Sequence, residues 1–94
     1  MKVYISGKIT GNKNYKEQFN NAEQELLKSG VEVFNPVNVS IPVENPTYKD
    51  YMKADIQQLI NCDCIFMLKN WLTSKGATLE HKIAIALDLI IIYE

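Results

Sequence analysis

Four short apolar or β-branched runs punctuate the chain: Lys2 to Ser6, Val31 to Phe34, Cys64 to Leu68 and Leu89 to Tyr93. Between them lie three stretches whose apolar residues recur at helical spacing. That alternation leaves few architectures. Strands joined through helices run parallel, each crossover is right-handed, and the helices cover the sheet. The order βαβαβαβ predicts a small Rossmann-like or flavodoxin-like three-layer α/β domain with a four-stranded parallel sheet. Its 94 residues make one domain, 1–94, with a core but little to spare. No internal repeat or low-complexity segment interrupts it.

The punctuation supports the same scheme. Tyr15, Phe19, Ala22, Leu26 and Leu27 form the stripe of a first helix, stopped at Ser29-Gly30, where glycine suits the left-handed position. Asn35-Pro36 ends the second strand. Residues 37 to 47, with Pro42 and Pro46, form the longest irregular segment and are expected to lie over a site as a flap. Thr47 is expected to cap a second helix running to about Asn61, with Tyr48, Tyr51, Met52, Ile56, Leu59 and Ile60 as its inward stripe. The third strand is almost wholly apolar, which predicts burial on both faces, and Leu89 to Tyr93 also reads as a buried strand.

Charge and cysteine content exclude several function classes. A net charge of −1 gives no bulk attraction to a nucleic acid polymer or a membrane surface. No apolar run approaches the roughly 20 residues of a membrane span. Met1-Lys2 passes straight into an apolar run with no leader pattern. The only cysteines, Cys62 and Cys64, are too close for a disulfide framework and lack the further ligands of a zinc site. They read as reduced, buried small hydrophobes, and the expected compartment is cytoplasmic. Neither a cofactor nor a metal is expected.

The stretch from Ser74 to Leu87 carries the chemistry. Its small-residue turn opens a helix, where backbone N–H groups lack intrahelical partners and attract an anion. Glu80, about one turn in, shares a face with Ile83, Ala84 and Leu87 and is expected to point inward. Asp55 sits amid the apolar stripe of the preceding helix, four residues after Tyr51 and four before Leu59. An ionised carboxylate there is costly unless paired, so Asp55 either meets water or a lysine at the stripe's edge or belongs to a site. Two inward carboxylates flanking one crevice are the groups that cleave a glycosidic bond, one as nucleophile and one as acid or base. Other residues are less telling on their own. Tyr4 fits plain core, Ser74 fits a simple helix cap, and His81 fits an exposed position facing away from Glu80. Trp71 reads as a lid or an anchor, and Asp63 as a cap on the turn into the third strand.

Several segments together resemble the nucleoside 2-deoxyribosyltransferase-like superfamily, especially its short phage and bacterial branch. They are Gly7-Lys-Ile-Thr-Gly11, Asn35-Pro36, Tyr51-Met-Lys-Ala-Asp55, Cys62-Asp63, Lys69-Asn-Trp71, Ser74-Lys-Gly-Ala-Thr-Leu-Glu80 and Tyr93-Glu94. The resemblance covers essentially the whole chain in order. It implies cleavage of the N-glycosidic bond of a deoxynucleoside 5′-monophosphate or nucleoside, by hydrolysis or deoxyribosyl transfer. By resemblance Glu80 is the nucleophile, Asp55 handles the leaving base and the sugar, and Tyr4 positions the nucleophile. Ser74 and Gly76 are implied to hold a 5′-phosphate, and Gly7 to lie along the nucleotide. Lys8 replaces the branch's proline, and Lys69-Asn70 replaces Pro-Gly. Each lysine reads either as a phosphate partner or as a solvated loop residue. A homodimer or higher oligomer is expected, since in the longer transferases a neighbouring subunit completes the site. The competing expectations are a non-catalytic nucleotide-binding module and a structural protein that keeps the motif for stability.

Overall fold

The computed structural model describes all residues from Met1 to Glu94. Strand β1 (Lys2–Ser6) leads through helix α1 (Tyr15–Leu27) to β2 (Glu32–Phe34). Helix α2 (Tyr48–Leu59) precedes β3 (Cys64–Met67), and helix α3 (Lys75–Ala86) precedes β4 (Ile90–Tyr93). Two 3-10 turns that the sequence did not signal, Pro36–Asn38 and Trp71–Thr73, follow β2 and β3. The four strands form one sheet in the order β2-β1-β3-β4, every pair parallel. The expected three-layer α/β domain is therefore the observed one.

Chain order reverses between β1 and β3, so the segments leaving these two strands diverge and open a crevice at their carboxyl ends. The sheet has two differently used faces because successive strand residues point opposite ways. On one face Ile5 packs with Phe19 and Ala22 of α1 and with Leu68. On the other, Tyr4, Ile65 and Met67 pack with Leu59 of α2 and with Ala77 and Ala84 of α3. β1 and β3 are central, and their side chains are almost entirely buried.

The helix boundaries follow from local chemistry. Gly30, at φ +80°, takes the left-handed position after α1 that strains a side-chain-bearing residue. Thr47 and Asp50 form a reciprocal capping box at the start of α2. Ser74 caps α3 by accepting from the Ala77 N–H at 3.1 Å. Asp63 accepts from the Lys2 N–H at 2.9 Å, tying the turn before β3 to the start of β1. Both cysteines are free and buried. No helix is long and apolar enough to cross a membrane.

Three sequence expectations are corrected. β4 is an edge strand, not a buried one: Ile90 is 51% and Ile92 39% exposed, while Ile91 alone faces the core. The single helix on their side of the sheet, α1, lies against β1 and β2 and leaves that end bare. Leu87 is exposed because α3 ends one residue before it. Tyr48, Tyr51 and Ile60 are likewise exposed, and α2 buries fully only Asp55 and Leu59. The inward face of α2 is narrower than its apolar stripe.

Candidate active site

Glu80 is the most constrained side chain at the crevice. One turn into α3, it is 5% exposed and lies under the carboxyl end of β1. The Tyr4 hydroxyl donates to its Oε2 at 2.5 Å, and the Ser6 hydroxyl donates to its Oε1 at 2.7 Å. Tyr4 and Ser6 are two apart on one strand, so the pleat aims both at the same point. Tyr4 is itself fixed, stacked on Phe34 with ring centroids 5.5 Å apart. Burial pushes the Glu80 carboxyl up to about 7, against the two hydroxyl donors, which favour its charged form. The negative charge of Asp55 adds to the rise. Tyr4 is held well above the ordinary phenol range, by burial first and then by the charges of Glu80 and Asp55. It therefore remains a donor at neutral pH.

Asp55 is equally buried, at 6% exposed, but differently treated. Its Oδ1 has no hydrogen-bond partner, and burial raises its carboxyl to about 7. The sequence left open whether this residue meets water or a lysine at the stripe's edge; the structure buries it against the cavity with no lysine within 4.0 Å. Of the two acids, Glu80 has donors that favour ionisation and Asp55 has none.

Both carboxylates border a cavity of about 790 Å³, a size that accommodates a small organic molecule. Tyr4, Gly7, Ser74 and Gly76 border it as well. Of the 37–47 segment, Val37 and Val39 reach the cavity wall. Tyr15, Tyr48 and Tyr51 add aromatic surface. Gly7 is buried against Leu68: a Cβ there would lie 2.7 Å from Leu68 Cδ1, so only glycine lets β1 turn this close to the segment after β3. At the α3 opening the Ser74 Oγ accepts from Ala77, while the N–H groups of Lys75 and Gly76 have no acceptor within the chain. That leaves the Ser74 hydroxyl proton and two backbone donors facing the cavity, the elements of an anion site.

Some expected participants stand elsewhere. Lys8 is not part of the cavity wall; its backbone N–H donates to Asn70 Oδ1 at 3.3 Å. The Lys69 N–H donates to Glu94 Oε1 at 2.9 Å. The lysine that borders the cavity is Lys75, a position the sequence did not single out. Trp71 is neither over the cavity nor free: its ring lies 4.3 Å from that of His81, which hydrogen-bonds the Tyr93 hydroxyl at 2.7 Å. Ser6, which the sequence did not single out, stands two residues after Tyr4 on the same strand. No three His, Cys, Asp or Glu side chains converge anywhere in the chain.

The fold and the site define a small parallel α/β domain with a buried carboxylate pair and an anion-ready helix start at its strand crossover. The chain belongs to the family described as a domain of unknown function, DUF4406, which it matches over residues 1–93. Its structure is similar to that of the 2-deoxyribosyltransferase from the psychrotolerant bacterium Bacillus psychrosaccharolyticus, with a TM-score of 0.81 and 22% identity. That alignment covers 99% of this chain and 71% of the other. The fold is thus nucleoside 2-deoxyribosyltransferase-like, as the resemblance implied. No curated protein sequence matches the chain.

Proposed function

We propose that this protein cleaves the N-glycosidic bond of a 2′-deoxynucleoside or its 5′-phosphate through a covalent glycosyl-enzyme. The observation that carries this is the unequal treatment of two buried carboxylates in one cavity: Glu80 gripped at both oxygens, Asp55 unpartnered. Glu80, ionised and oriented, attacks the anomeric carbon as the bond to the base breaks. The bonding pair leaves with the base, and Asp55 delivers its proton to the departing nitrogen. In the second half Asp55, now a carboxylate, takes a proton from water as that water attacks the same carbon and releases Glu80. The products are the free base and the deoxyribose or its phosphate. A second base in place of water gives transfer. Ser74, the Gly76 N–H and Lys75 would hold the 5′-phosphate, with Gly7 alongside the nucleotide. The relative named above, a 2-deoxyribosyltransferase, is consistent with this chemistry.

The test is base release from a panel of deoxynucleosides and their monophosphates by the purified protein, beside Glu80→Ala. Base release by the wild type and none by the variant supports the proposal; undiminished release by Glu80→Ala removes Glu80 from it. Tight binding without turnover over long incubation replaces the enzyme with a nucleotide-binding module. The exposed apolar Ile85 and Leu87 at the end of α3, and Ile90 and Ile92 on the edge strand β4, support a homodimer or higher oligomer, which sedimentation checks.

A further inference from the structure

A groove of about 470 Å³ between α2 and α3 continues the cavity on its outer side. The two spaces share Tyr48, Met52 and Lys75. The groove has an apolar floor that includes Ile56 and Leu79, and its walls carry four lysines. Lys49 and Lys53 stand one turn apart on α2; Lys75 and Lys82 stand two turns apart on α3. None of the nine lining residues is acidic. The chain's one ion pair is Lys28 with Glu25 on α1, so no lysine of the groove has a carboxylate within 4.0 Å. Lys75 Nζ lies 5.5 Å over the Tyr48 ring, at the boundary between groove and cavity.

This is not a generally basic surface. Four of the ten basic residues gather here in a chain whose net charge is −1. Asp50 on α2, held low first by Thr47 and then by Lys53 and Lys49, offsets part of their charge; the repulsion left among the four ammoniums on facing helix walls is relieved by a counter-charge that enters between them. The occupant is indicated by continuity. The cation track starts at Lys75, beside the helix opening to which the proposed function assigns the 5′-phosphate, and runs outward to Lys82. Seven residues of helix carry it about 10 Å along α3. A single phosphate at the helix opening meets Lys75 and ends there; further phosphates on the same ester extend into the groove.

We infer that the α2/α3 groove binds the outer phosphates of a nucleoside 5′-polyphosphate whose sugar and base occupy the cavity. This rests on the glycosidase proposal for what fills the cavity and deepens it by naming the phosphorylation state of the preferred ligand. Lys75 bridges the two spaces, and Lys49, Lys53 and Lys82 act as screened point charges on the distal phosphates.

Paired mono- and triphosphates of the common deoxynucleosides are titrated calorimetrically into Glu80→Gln, which prevents turnover. A second protein carries Lys53→Gln and Lys82→Gln in addition; both lysines border the groove and not the cavity. The triphosphate is expected to bind about tenfold tighter than its monophosphate, the size that a few screened charge contacts supply. The lysine variant loses that advantage and keeps monophosphate affinity within about twofold, and raised salt erodes the advantage in the parent. A triphosphate bound no tighter than the monophosphate overturns the inference, as does an advantage that survives both substitutions. If the monophosphate binds and the wild type cleaves it while the triphosphate gains nothing, the groove assignment alone fails. If neither binds, both assignments fail.

Discussion

Tyr4 and Glu80, 76 positions apart in the chain, are joined by a buried 2.5 Å hydrogen bond, and Ser6 holds the other oxygen of the same carboxylate at 2.7 Å. The two hydroxyls favour the ionised form of Glu80, and Asp55 has no comparable donor. Tyr4→Phe or Ser6→Ala removes a donor to the charged form and raises the Glu80 carboxyl further. A hydrogen bond to a buried charged group contributes about 1.5–3 kcal/mol, so each variant is expected to lose roughly 10- to 100-fold in kcat. KM should change far less. The acid limb of the pH–rate profile should move to higher pH in both variants. A loss of activity with an unmoved acid limb would show that the hydroxyls serve only packing.

The same pair makes folding stability depend on pH. Burial raises both carboxyls to about 7, above their unfolded values of about 4. Between those limits the unfolded chain has released protons that the folded pair still holds. The pair's contribution to stability is therefore intact below about pH 4 and declines as pH rises towards about 7. Asp55→Asn cannot ionise and escapes its share of that decline. At pH 8 it is expected to exceed the wild type by about 1–2 kcal/mol, roughly 5–15 °C in Tm for a chain of this size. At pH 4 the gap should close. Thermal melts across that range check both arms, and a gap that does not vary with pH would contradict the raised value of Asp55.

What the sequence conveyed about this site divides along physical lines. Periodicity carries burial along one element, so the strand–helix alternation and the inward aim of Glu80 and Asp55 were legible. The partnership of Ser6 with Glu80 was not, because it depends on β1 lying beneath α3, a relation between distant segments. β4 misled for a related reason. A run of isoleucines looks the same at the centre of a sheet and at its edge, and only the strand order β2-β1-β3-β4 separates the two. Lys8 and Lys75 show the same limit for charge: proximity to a glycine loop in sequence did not say which lysine borders the cavity.

Gly7 and Gly76 both border the cavity but for different reasons, and the same substitution should separate them. A methyl on Gly7 would stand 2.7 Å from Leu68 Cδ1 and 2.9 Å from its Cβ, in a buried position where the neighbour's own root blocks relief. Gly7→Ala is expected to cost about 1–3 kcal/mol of stability through overpacking. A methyl on Gly76 meets Met52 Sδ at 3.1 Å and the Tyr48 hydroxyl at 3.4 Å, both at the ends of side chains that can move. Gly76→Ala should melt within about 0.5 kcal/mol of the wild type, as changes away from packed features do, yet bind a monophosphate more weakly. Denaturant unfolding and calorimetry on the two variants distinguish the roles. Equal stability losses would mean that Gly76 is a packing glycine.

Ser74 presents two roles at one atom. Its Oγ accepts from the Ala77 N–H as the cap of α3, while its own proton is available to an anion at the helix opening. Ser74→Ala removes both, so it cannot separate them, and is expected to cost about 1 kcal/mol for the cap alone. Ser74→Asp keeps an accepting oxygen at the cap and adds negative charge to the first turn, where the helix dipole favours it. The stability of this variant should match or exceed that of the wild type. A carboxylate beside a bound phosphate repels it, so the variant should lose roughly tenfold or more in affinity for a monophosphate, about 1.4 kcal/mol. Affinity for the corresponding nucleoside should change little. Titration of both ligands into the one variant reads the difference directly, and a monophosphate bound as tightly as before would move the phosphate away from the α3 opening.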